Sequence, residues 1–293
     1  QDRQALKQEL RASRLLGETN DGKKIYLFDY QPDSAVMREV GRLREVAFRC
    51  VGEGTGEKHD LDNYDHYYRH LILWDEDALE IAGAYRIGEA HKLLDNQDQP
   101  LYSGTLFKYA PNMNRYFEQG IELGRSFVQP KYWGKRSLDY LWFGIGAYLR
   151  EHPEVRYMFG PVSLSNTYPK RAKDLLIWFY CHYFNDPDQL ARAASPYPLD
   201  SDTAKSISQL FDGNNYKDDF KVLKEQLEYL GVSVPTLYKQ YCDVCEEGGV
   251  RFLDFGVDAS FNYCVDGLVL VDMDYLKPKK RKRYISEEAN SVE

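Results

Sequence analysis

Residues 120–129 place a carboxylate and a guanidinium, Glu122 and Arg125, on a short apolar stretch that predicts a β-strand. Side chains three residues apart on a regular strand point to opposite faces, unless a bulge at the intervening Gly124 brings them together. Such a pair could serve as acid–base and anion-binding groups, whereas an ion pair at the surface is the alternative. The surrounding elements decide between these two interpretations.

The turn after this strand carries one glycine, Gly134, among the cations Lys131, Lys135 and Arg136. A strongly apolar segment then repeats at helical spacing from residue 137 to residue 152. Because the N-terminus of a helix presents free N–H groups and a positive dipole, this turn predicts a site for a single phosphate. Solvated cations without a ligand are the alternative.

The order of predicted elements indicates an α/β fold with a mixed central sheet, flanking helices and helical insertions. Residues 1–20 are interpreted as a helix (Ala5 to Leu16) or linker from an upstream domain, 21–276 as one domain, and 277–293 as a basic tail. Residues 89–119 are interpreted as a polar insertion that could act as a lid, and 185–232 as a helical excursion. Strands are predicted at 24–29, 68–74, 80–87, 120–129, 155–164, 250–253 and 267–273, and helices at 34–51, 137–152, 169–184 and from 235.

Bulk properties exclude several classes of protein. The net charge is −8, yet residues 277–283 contain six cations, so the rest of the chain is more acidic and nucleic acid is excluded as the main ligand. The basic run could bind anionic lipid or remain a solvated tail. Five cysteines at irregular spacing indicate reduced thiols in a cytoplasmic protein, and no apolar run is long enough to span a membrane. The lone Cys242-x-x-Cys245 and the acidic run 59–65 lack metal-site spacing, so no metal is expected.

The polar residues occur in an order that resembles the signature of acyl-homoserine-lactone synthases: Arg44-x-x-x-Phe48, Asp62-x-x-Asp65, Arg86 and Glu122-x-x-Arg125. The wider chain is more similar to the ornithine-lipid N-acyltransferases, particularly to the C-terminal domain of bifunctional aminoacyl-lipid synthases that are often labelled haemolysins. The similarity runs over about residues 25–285 and includes the stretches 41–48, 67–74, 83–86, 122–126, 234–239, 258–262 and 266–267.

This resemblance implies a GNAT (N-acyltransferase) fold and transfer of a 3-hydroxy fatty acyl group from acyl carrier protein to the α-amine of an amino acid. Ornithine is the favoured acceptor and glycine the next. No cofactor is expected to stay bound, since the donor is the acyl-phosphopantetheine of the carrier. The resemblance also implies peripheral attachment to the inner leaflet and an upstream O-acyltransferase domain. The alternatives are an acyl-homoserine-lactone synthase and a membrane-active or lipid-binding protein without enzymatic activity.

The resemblance also implies roles for individual residues. Glu122 would be the base, directly or through a water, and Arg125 would orient it or bind the acceptor carboxylate. Backbone N–H groups of Ser126, Phe127 and Val128 would stabilise the oxyanion. The remaining candidates form two sets. The acyl and amino acid pocket would use Arg44, Phe48, Asp62, Asp65 and Arg86. For the charged residues of this set, a purely structural ion-pair network is the alternative. The carrier would contact Lys131, Trp133, Gly134, Lys135 and Arg136.

Overall fold

An eight-stranded sheet forms the centre of the chain, which a computed structural model describes over residues 2–96 and 98–286. Within these residues the strands are β1 (Arg14–Glu18), β2 (Lys23–Asp29), β3 (Arg69–Asp75), β4 (Glu80–Glu89), β5 (Phe107–Tyr109), β6 (Gly120–Val128), β7 (Tyr157–Leu164), β8 (Ala191–Ala193), β9 (Val250–Asp258) and β10 (Cys264–Asp272). The central order is β1-β2-β3-β4-β6-β7-β10-β9, and β5 pairs with β8 separately. Neighbours in the large sheet are antiparallel except for β6 and β7, which confirms the predicted mixed sheet.

Helices cover both faces of this sheet. They are α1 (Arg3–Arg11), α2 (Ala35–Cys50), α3 (Ala90–Leu94), α4 (Asn114–Phe117), α5 (Ser137–Glu151), α6 (Lys170–Tyr183), α7 (Ser201–Ser208), α8 (Tyr216–Tyr229), α9 (Thr236–Val244) and α10 (Pro278–Tyr284). Because side chains alternate along a strand, Leu71 and Leu73 of β3 pack with α5, whereas Ile72 and Trp74 pack with α1 and α2. The sheet therefore separates two hydrophobic cores, one on each of its faces.

The strands β6 and β7 separate part-way along their length. Their parallel pairing runs from Gly120 with Tyr157 to Glu122 with Phe159, and β6 then continues to Val128 without β7 as its partner. At the point of separation a Cβ on Gly160 would lie 1.9 Å from the carbonyl oxygen of Leu123, so only glycine permits this approach. A gap in the middle of the sheet follows from this divergence.

Helix α2 carries two of the predicted site residues, Arg44 and Phe48. The Ser34 hydroxyl accepts a hydrogen bond from the Met37 N–H at 3.0 Å and so begins the helix. Helix α2 ends at Cys50, and Gly52 then adopts a φ of +78°, which directs the chain toward the cavity described below. Arg44 and Phe48 lie on the buried side of α2.

Two predicted elements differ from the structure. The helix predicted from Ala5 to Leu16 is wrong at its end, because α1 stops at Arg11 and residues 14–18 pair with β2 as an edge strand. Segment 89–119 is not an irregular polar loop, since it folds into α3, β5 and α4 around buried Leu101, Phe107 and Phe117, while its role as a lid stays a prediction. The domain boundaries at 20/21 and 276/277 stay predictions.

The C-terminal basic run forms most of α10. Lys277 and Lys280 pair with Asp243, and Arg283 pairs with Asp139 of α5. Residues 287–293 of the predicted tail lie outside the described residues. No helix within 2–96 and 98–286 has both the length and the apolar character needed to cross a bilayer.

Candidate functional site

A β-bulge lies at the position where the sequence allowed one. Ala84 of β4 pairs with Phe127 and Arg86 pairs with Gly124, so Arg125 and Ser126 together oppose a single residue of β4. Arg125 takes a φ of +46°, a left-handed conformation that costs a non-glycine residue free energy. Strain of this kind persists where the surroundings hold the residue, and it is frequent at functional sites.

The side chain of Arg125 is held by carboxylates and by rings. Its Nε atom lies 3.3 Å from Asp60 Oδ2, and its Nη2 atom lies 3.8 Å from Asp62 Oδ2. Its guanidinium carbon lies 4.9 Å from the ring centroid of Tyr102 and 4.6 Å from that of Phe261. An arginine held in this way is a fixed positive charge, ready to bind an anion.

The gap between β6 and β7 opens into a cavity of about 720 Å³. Ser126, Phe127 and Val128 of β6 line one side, and Pro161, Val162 and Ser163 of β7 line the other. Because β7 no longer pairs with this part of β6, the N–H groups of β6 that point away from β4 face the gap. The cavity therefore combines backbone donors, Arg125 and an apolar wall formed by Ala47, Phe48, Val51, Leu138, Leu237 and Phe261.

Glu122 is fully buried outside the lining of this cavity. Its carboxylate accepts hydrogen bonds from the Tyr68 hydroxyl, from the Tyr102 N–H at 3.1 Å and from the Ser103 N–H at 2.7 Å. It forms no ion pair with Arg125, contrary to the predicted pairing, because the backbone of Tyr102 binds Glu122 while the ring of Tyr102 stacks on Arg125. Burial raises the pKa of Glu122. Its role as the base stays a prediction.

We expect Glu122→Gln to lower the free energy of unfolding by about 1–3 kcal/mol, because the new amide group would face hydrogen-bond donors. Urea unfolding measures this loss. Glu118→Gln is the matched control, since Glu118 is exposed and its substitution should change stability by less than about 0.5 kcal/mol. Equal stability of the two variants would show that the contacts of Glu122 contribute nothing. The acyl-transfer rate of Glu122→Gln tests the predicted base.

The predicted polar residues Arg44, Asp62, Asp65 and Arg86 form one buried network beside Arg125. Asp65 Oδ1 lies 2.8 Å from Arg44 Nη1 and 3.2 Å from Arg86 Nη1, and Asp62 Oδ1 lies 2.6 Å from Arg86 Nη1. Arg86 also lies over the rings of Tyr64, Tyr68 and Tyr102. The network positions Arg125 through Asp62, and Arg44, Asp65 and Arg86 do not line the cavity.

His70 completes this network as a neutral side chain. Its Nε2 atom lies 3.0 Å from the carbonyl oxygen of Asp65, which can only accept, so Nε2 carries the proton. The Nδ1 atom is then free to accept from Arg44 Nη2 at 3.4 Å. Burial lowers the pKa of His70 to about 4. The ring therefore adds no third positive charge beside the two arginines at neutral pH.

The residues predicted to contact the carrier divide into two groups. Trp133, Gly134 and Lys135 line the mouth of the cavity, and Trp133 is 45% exposed. Lys131 instead pairs with Glu80, and Arg136 pairs with Asp139 at 3.3 Å. Helix α5 begins directly after them without a side-chain cap among the described residues, so its first N–H groups are free to bind a ligand.

Three acidic residues of the cavity were missed in the sequence. Glu53 follows α2, Asp258 ends β9 and Asp266 lies in β10, and all three line the cavity. Asp258 and Asp266 fell within stretches that carried the family resemblance, and Glu53 fell in a glycine-rich loop. A carboxylate inside the nearly continuous apolar strand around Asp266 was the signal that could have drawn attention to it.

Comparison with known proteins identifies the family of this chain. A family profile described as "Acetyltransferase (GNAT) domain" matches residues 43–143. The glycine N(alpha)-acyltransferase of Bacteroides thetaiotaomicron is 33% identical over 97% of this chain and 87% of its own length. The chain belongs to the amino acid N(alpha)-acyltransferases with the GNAT fold. The predicted family, fold and acyltransferase activity are thus confirmed.

Two further members of this family differ in the amino acid that their names give. The glycine N(alpha)-acyltransferase of Phocaeicola vulgatus is 31% identical over 97% of this chain and 90% of its own length. The L-ornithine N(alpha)-acyltransferase of Brucella abortus is 33% identical over 49% of this chain and 60% of its own length. Because these relatives are all named N(alpha)-acyltransferases, the chain is identified as an acyltransferase. The alternative of a non-enzymatic membrane-active protein is not supported.

Proposed function

We propose that this chain transfers a 3-hydroxy fatty acyl group from acyl carrier protein to the α-amine of glycine. The observation that carries the proposal is the gap between β6 and β7, which opens into the cavity beside the bulge at Arg125. A thioester placed in this gap would meet the N–H groups of β6 and an apolar wall at once. Glycine here takes the first place that the sequence-based prediction assigned to ornithine.

The loop after β6 supports a carrier-protein donor. It contains a single glycine, Gly134, whose φ of +73° turns the chain toward the uncapped start of α5. One helix N-terminus with Lys135 beside it suits the single phosphate of phosphopantetheine, whereas the multi-glycine turn of acetyl-CoA enzymes holds a pyrophosphate. The exposed Trp133 at the mouth offers an apolar contact for the carrier.

The apolar wall supports a fatty acyl group. Phe48 and Phe261 meet edge to face with centroids 5.0 Å apart, and Val51, Phe127 and Val162 lie around them in the cavity lining. Each buried methylene is worth about 0.8 kcal/mol, which corresponds to about a fourfold gain in affinity. Chain-length preference should therefore rise with each added carbon until the cavity is full.

The reaction joins the acceptor nitrogen to the acyl carbon. The acceptor ammonium first loses a proton, and the neutral amine then attacks the thioester carbonyl. Backbone N–H groups near Ser126–Val128 would stabilise the oxyanion that forms. When the intermediate collapses, the C–S bond breaks, the nitrogen gives up a second proton and the thiolate takes one. The products are an N-acyl amino acid and the free thiol of the carrier.

The comparisons support glycine as the acceptor over ornithine. The two relatives named glycine N(alpha)-acyltransferases are 33% and 31% identical over 97% of this chain. The L-ornithine N(alpha)-acyltransferase of Brucella abortus is 33% identical over 49% of it, and that of Rhodobacter capsulatus is 24% identical over 86% of it. The smaller acceptor needs a site for one ammonium and one carboxylate.

An assay with the purified chain tests the function directly. The chain is offered 3-hydroxyacyl carrier protein or the corresponding acyl-CoA, with glycine, ornithine or S-adenosylmethionine, and the products are identified by mass. We expect N-acylglycine from the carrier-bound donor. An acyl-homoserine lactone would instead support the synthase alternative, and the absence of every acylated product would contradict the proposal.

Peripheral membrane binding and an upstream O-acyltransferase domain also belong to this proposal. The basic run of α10 would bind anionic headgroups with the cations that remain exposed, such as Lys279. Co-sedimentation with anionic vesicles should fall in a variant that carries Lys279→Ala. Unchanged co-sedimentation of that variant would remove the role of α10.

A further inference from the structure

Glu53 and Asp266 come together on one side of the sheet, although they are 213 residues apart in the chain. Asp266 of β10 pairs in register with Ser163 of β7, and the Ser163 hydroxyl donates a hydrogen bond to Glu53 at 2.9 Å. Ser163 therefore hydrogen-bonds Glu53 and is the neighbour of Asp266 on the adjacent strand. Asp258 lines the same cavity, and its carboxylate accepts from the Ser260 N–H and hydroxyl.

These three carboxylates lack a cation of their own. Within the described part of the chain, none of the three forms an ion pair within 4 Å, and each is less than 9% exposed. Arg125 is the nearest guanidinium on the cavity wall, but its ion pairs are with Asp60 and Asp62. Ionised carboxylates without a counter-charge are costly when buried, so a positive group that enters the cavity would stabilise their charged form.

The raised pKa values of Glu53 and Asp266 allow these two side chains to exchange protons near neutral pH. Burial raises the pKa of Glu53 to about 7, although Ser163 and Arg125 favour its charged form. Burial and the negative charges of Asp258 and Glu53 raise the pKa of Asp266 to about 8. A carboxylate whose pKa lies near the working pH is an efficient general base. The other groups that face the pair are Cys264, Tyr168, Tyr102 and Tyr238.

We propose that Glu53 and Asp266 bind the α-ammonium of the acceptor amino acid and that Glu53 takes its proton before attack. The inference rests on the proposed function and adds its acceptor site. The α-ammonium transfers one proton to the Glu53 carboxylate, and the resulting amine uses its lone pair to form the C–N bond. Asp266 holds the remaining N–H groups, and Arg125 binds the acceptor carboxylate.

The assignment of Glu53 as the base differs from the sequence-based prediction, in which Glu122 is the base. Glu122 already accepts three hydrogen bonds and lies behind Tyr102, whereas Glu53 accepts one from Ser163 and faces the cavity. Glu53 lines the same cavity as Ser126, whereas Glu122 is outside its lining. The two assignments can be separated by kinetics.

The test compares Glu53→Gln and Asp266→Asn with wild type, using the purified chain, 3-hydroxyacyl carrier protein and glycine. We expect Glu53→Gln to lower kcat/KM for glycine by about 10²-fold at pH 7. The wild-type rate should fall as the pH drops below about 7 and level off above it, whereas the Glu53→Gln rate should keep rising above pH 7, because only the neutral fraction of glycine can then attack. Asp266→Asn should raise the KM for glycine by about tenfold with a smaller change in kcat.

A weakly basic acceptor separates proton removal from general damage to the site. Aminooxyacetate carries a carboxylate and an amine that is neutral at pH 7, so it needs no base. Glu53→Gln should transfer acyl groups to aminooxyacetate within about fivefold of the wild-type rate, because only proton removal has been lost. If Glu53→Gln loses both acceptors equally, or keeps the wild-type pH profile with glycine, Glu53 is not the base.

The failure of the inference can be told from the failure of the proposed function. A wild type that acylates no amino acid overturns both, whereas an active wild type with fully active Glu53→Gln and Asp266→Asn variants overturns the inference alone. Folding is checked by unfolding in urea at pH 8. There Asp266→Asn should be more stable than wild type, because an acid whose pKa is raised by folding destabilises the folded state once it ionises.

Discussion

Replacing Arg125 with alanine is expected to lower kcat/KM for acyl transfer by about 10²- to 10³-fold, because removing one partner of a buried, hydrogen-bonded charge pair costs about 2–5 kcal/mol. The guanidinium is fixed by Asp60, Asp62, Tyr102 and Phe261 and faces the cavity. Its loss would remove the proposed partner of the acceptor carboxylate. Steady-state kinetics with varied glycine measures the effect, which should fall mainly on the KM for glycine.

Arg125→Gly is the matched control for the backbone. The φ of +46° at this position costs an L-residue about 1–2 kcal/mol, a cost that glycine avoids. The glycine variant should therefore unfold at higher urea concentration than the alanine variant while having equally low activity. Wild-type activity in Arg125→Gly would show that the bulge matters and the guanidinium does not.

Asp65→Asn is expected to lower the free energy of unfolding by about 3–5 kcal/mol, because it leaves two buried arginines without their shared counter-charge. Arg44 and Arg86 are both fully buried and both bind the same oxygen of Asp65. The Asp62 N–H also donates to Asp65 at 2.9 Å. Urea unfolding at pH 7 measures the loss.

The control for this variant is Asp218→Asn, which breaks an exposed pair with Lys221 and should cost less than about 1 kcal/mol. Burial alone would raise the pKa of Asp65, but Arg44 and Arg86 hold it well below its usual range. The stability that this ionisation contributes is therefore complete above about pH 4 and is lost as the pH falls further. The difference between wild type and Asp65→Asn should accordingly shrink in acid. A difference independent of pH would contradict the assigned ion pairs.

Much of the fold could be predicted because most elements carry a clear local pattern. The leucine and aromatic stripe of α5 and the nearly continuous apolar runs of β3 and β4 depend only on neighbours in the sequence. The edge strand β1 could not be recognised in this way. Its Leu15 is 51% exposed, and its pairing with β2 depends on backbone hydrogen bonds that leave no periodic signal.

The candidate site was predictable only in part, for a related reason. The order of Arg44, Asp65 and Arg86 indicated a network through family resemblance, and the structure brings these residues together. Glu53 and Asp266 meet only because β10 lies beside β7, a contact between distant parts of the chain. Their raised pKa values follow from burial, which no local spacing encodes.

The divergence of β6 and β7 places an open sheet edge in the interior of the molecule. At the outer rim of a sheet, a row of free backbone groups invites pairing with any extended chain and leads to aggregation. Here the same row lies in a cleft beside Arg125, where a neighbouring protein chain cannot lie along it as a full strand. A thin, extended arm with amide groups of its own, such as the proposed phosphopantetheine donor, can enter and complete the ladder. The enzyme would thus select its donor by the mode of strand addition that other proteins use to bind peptides.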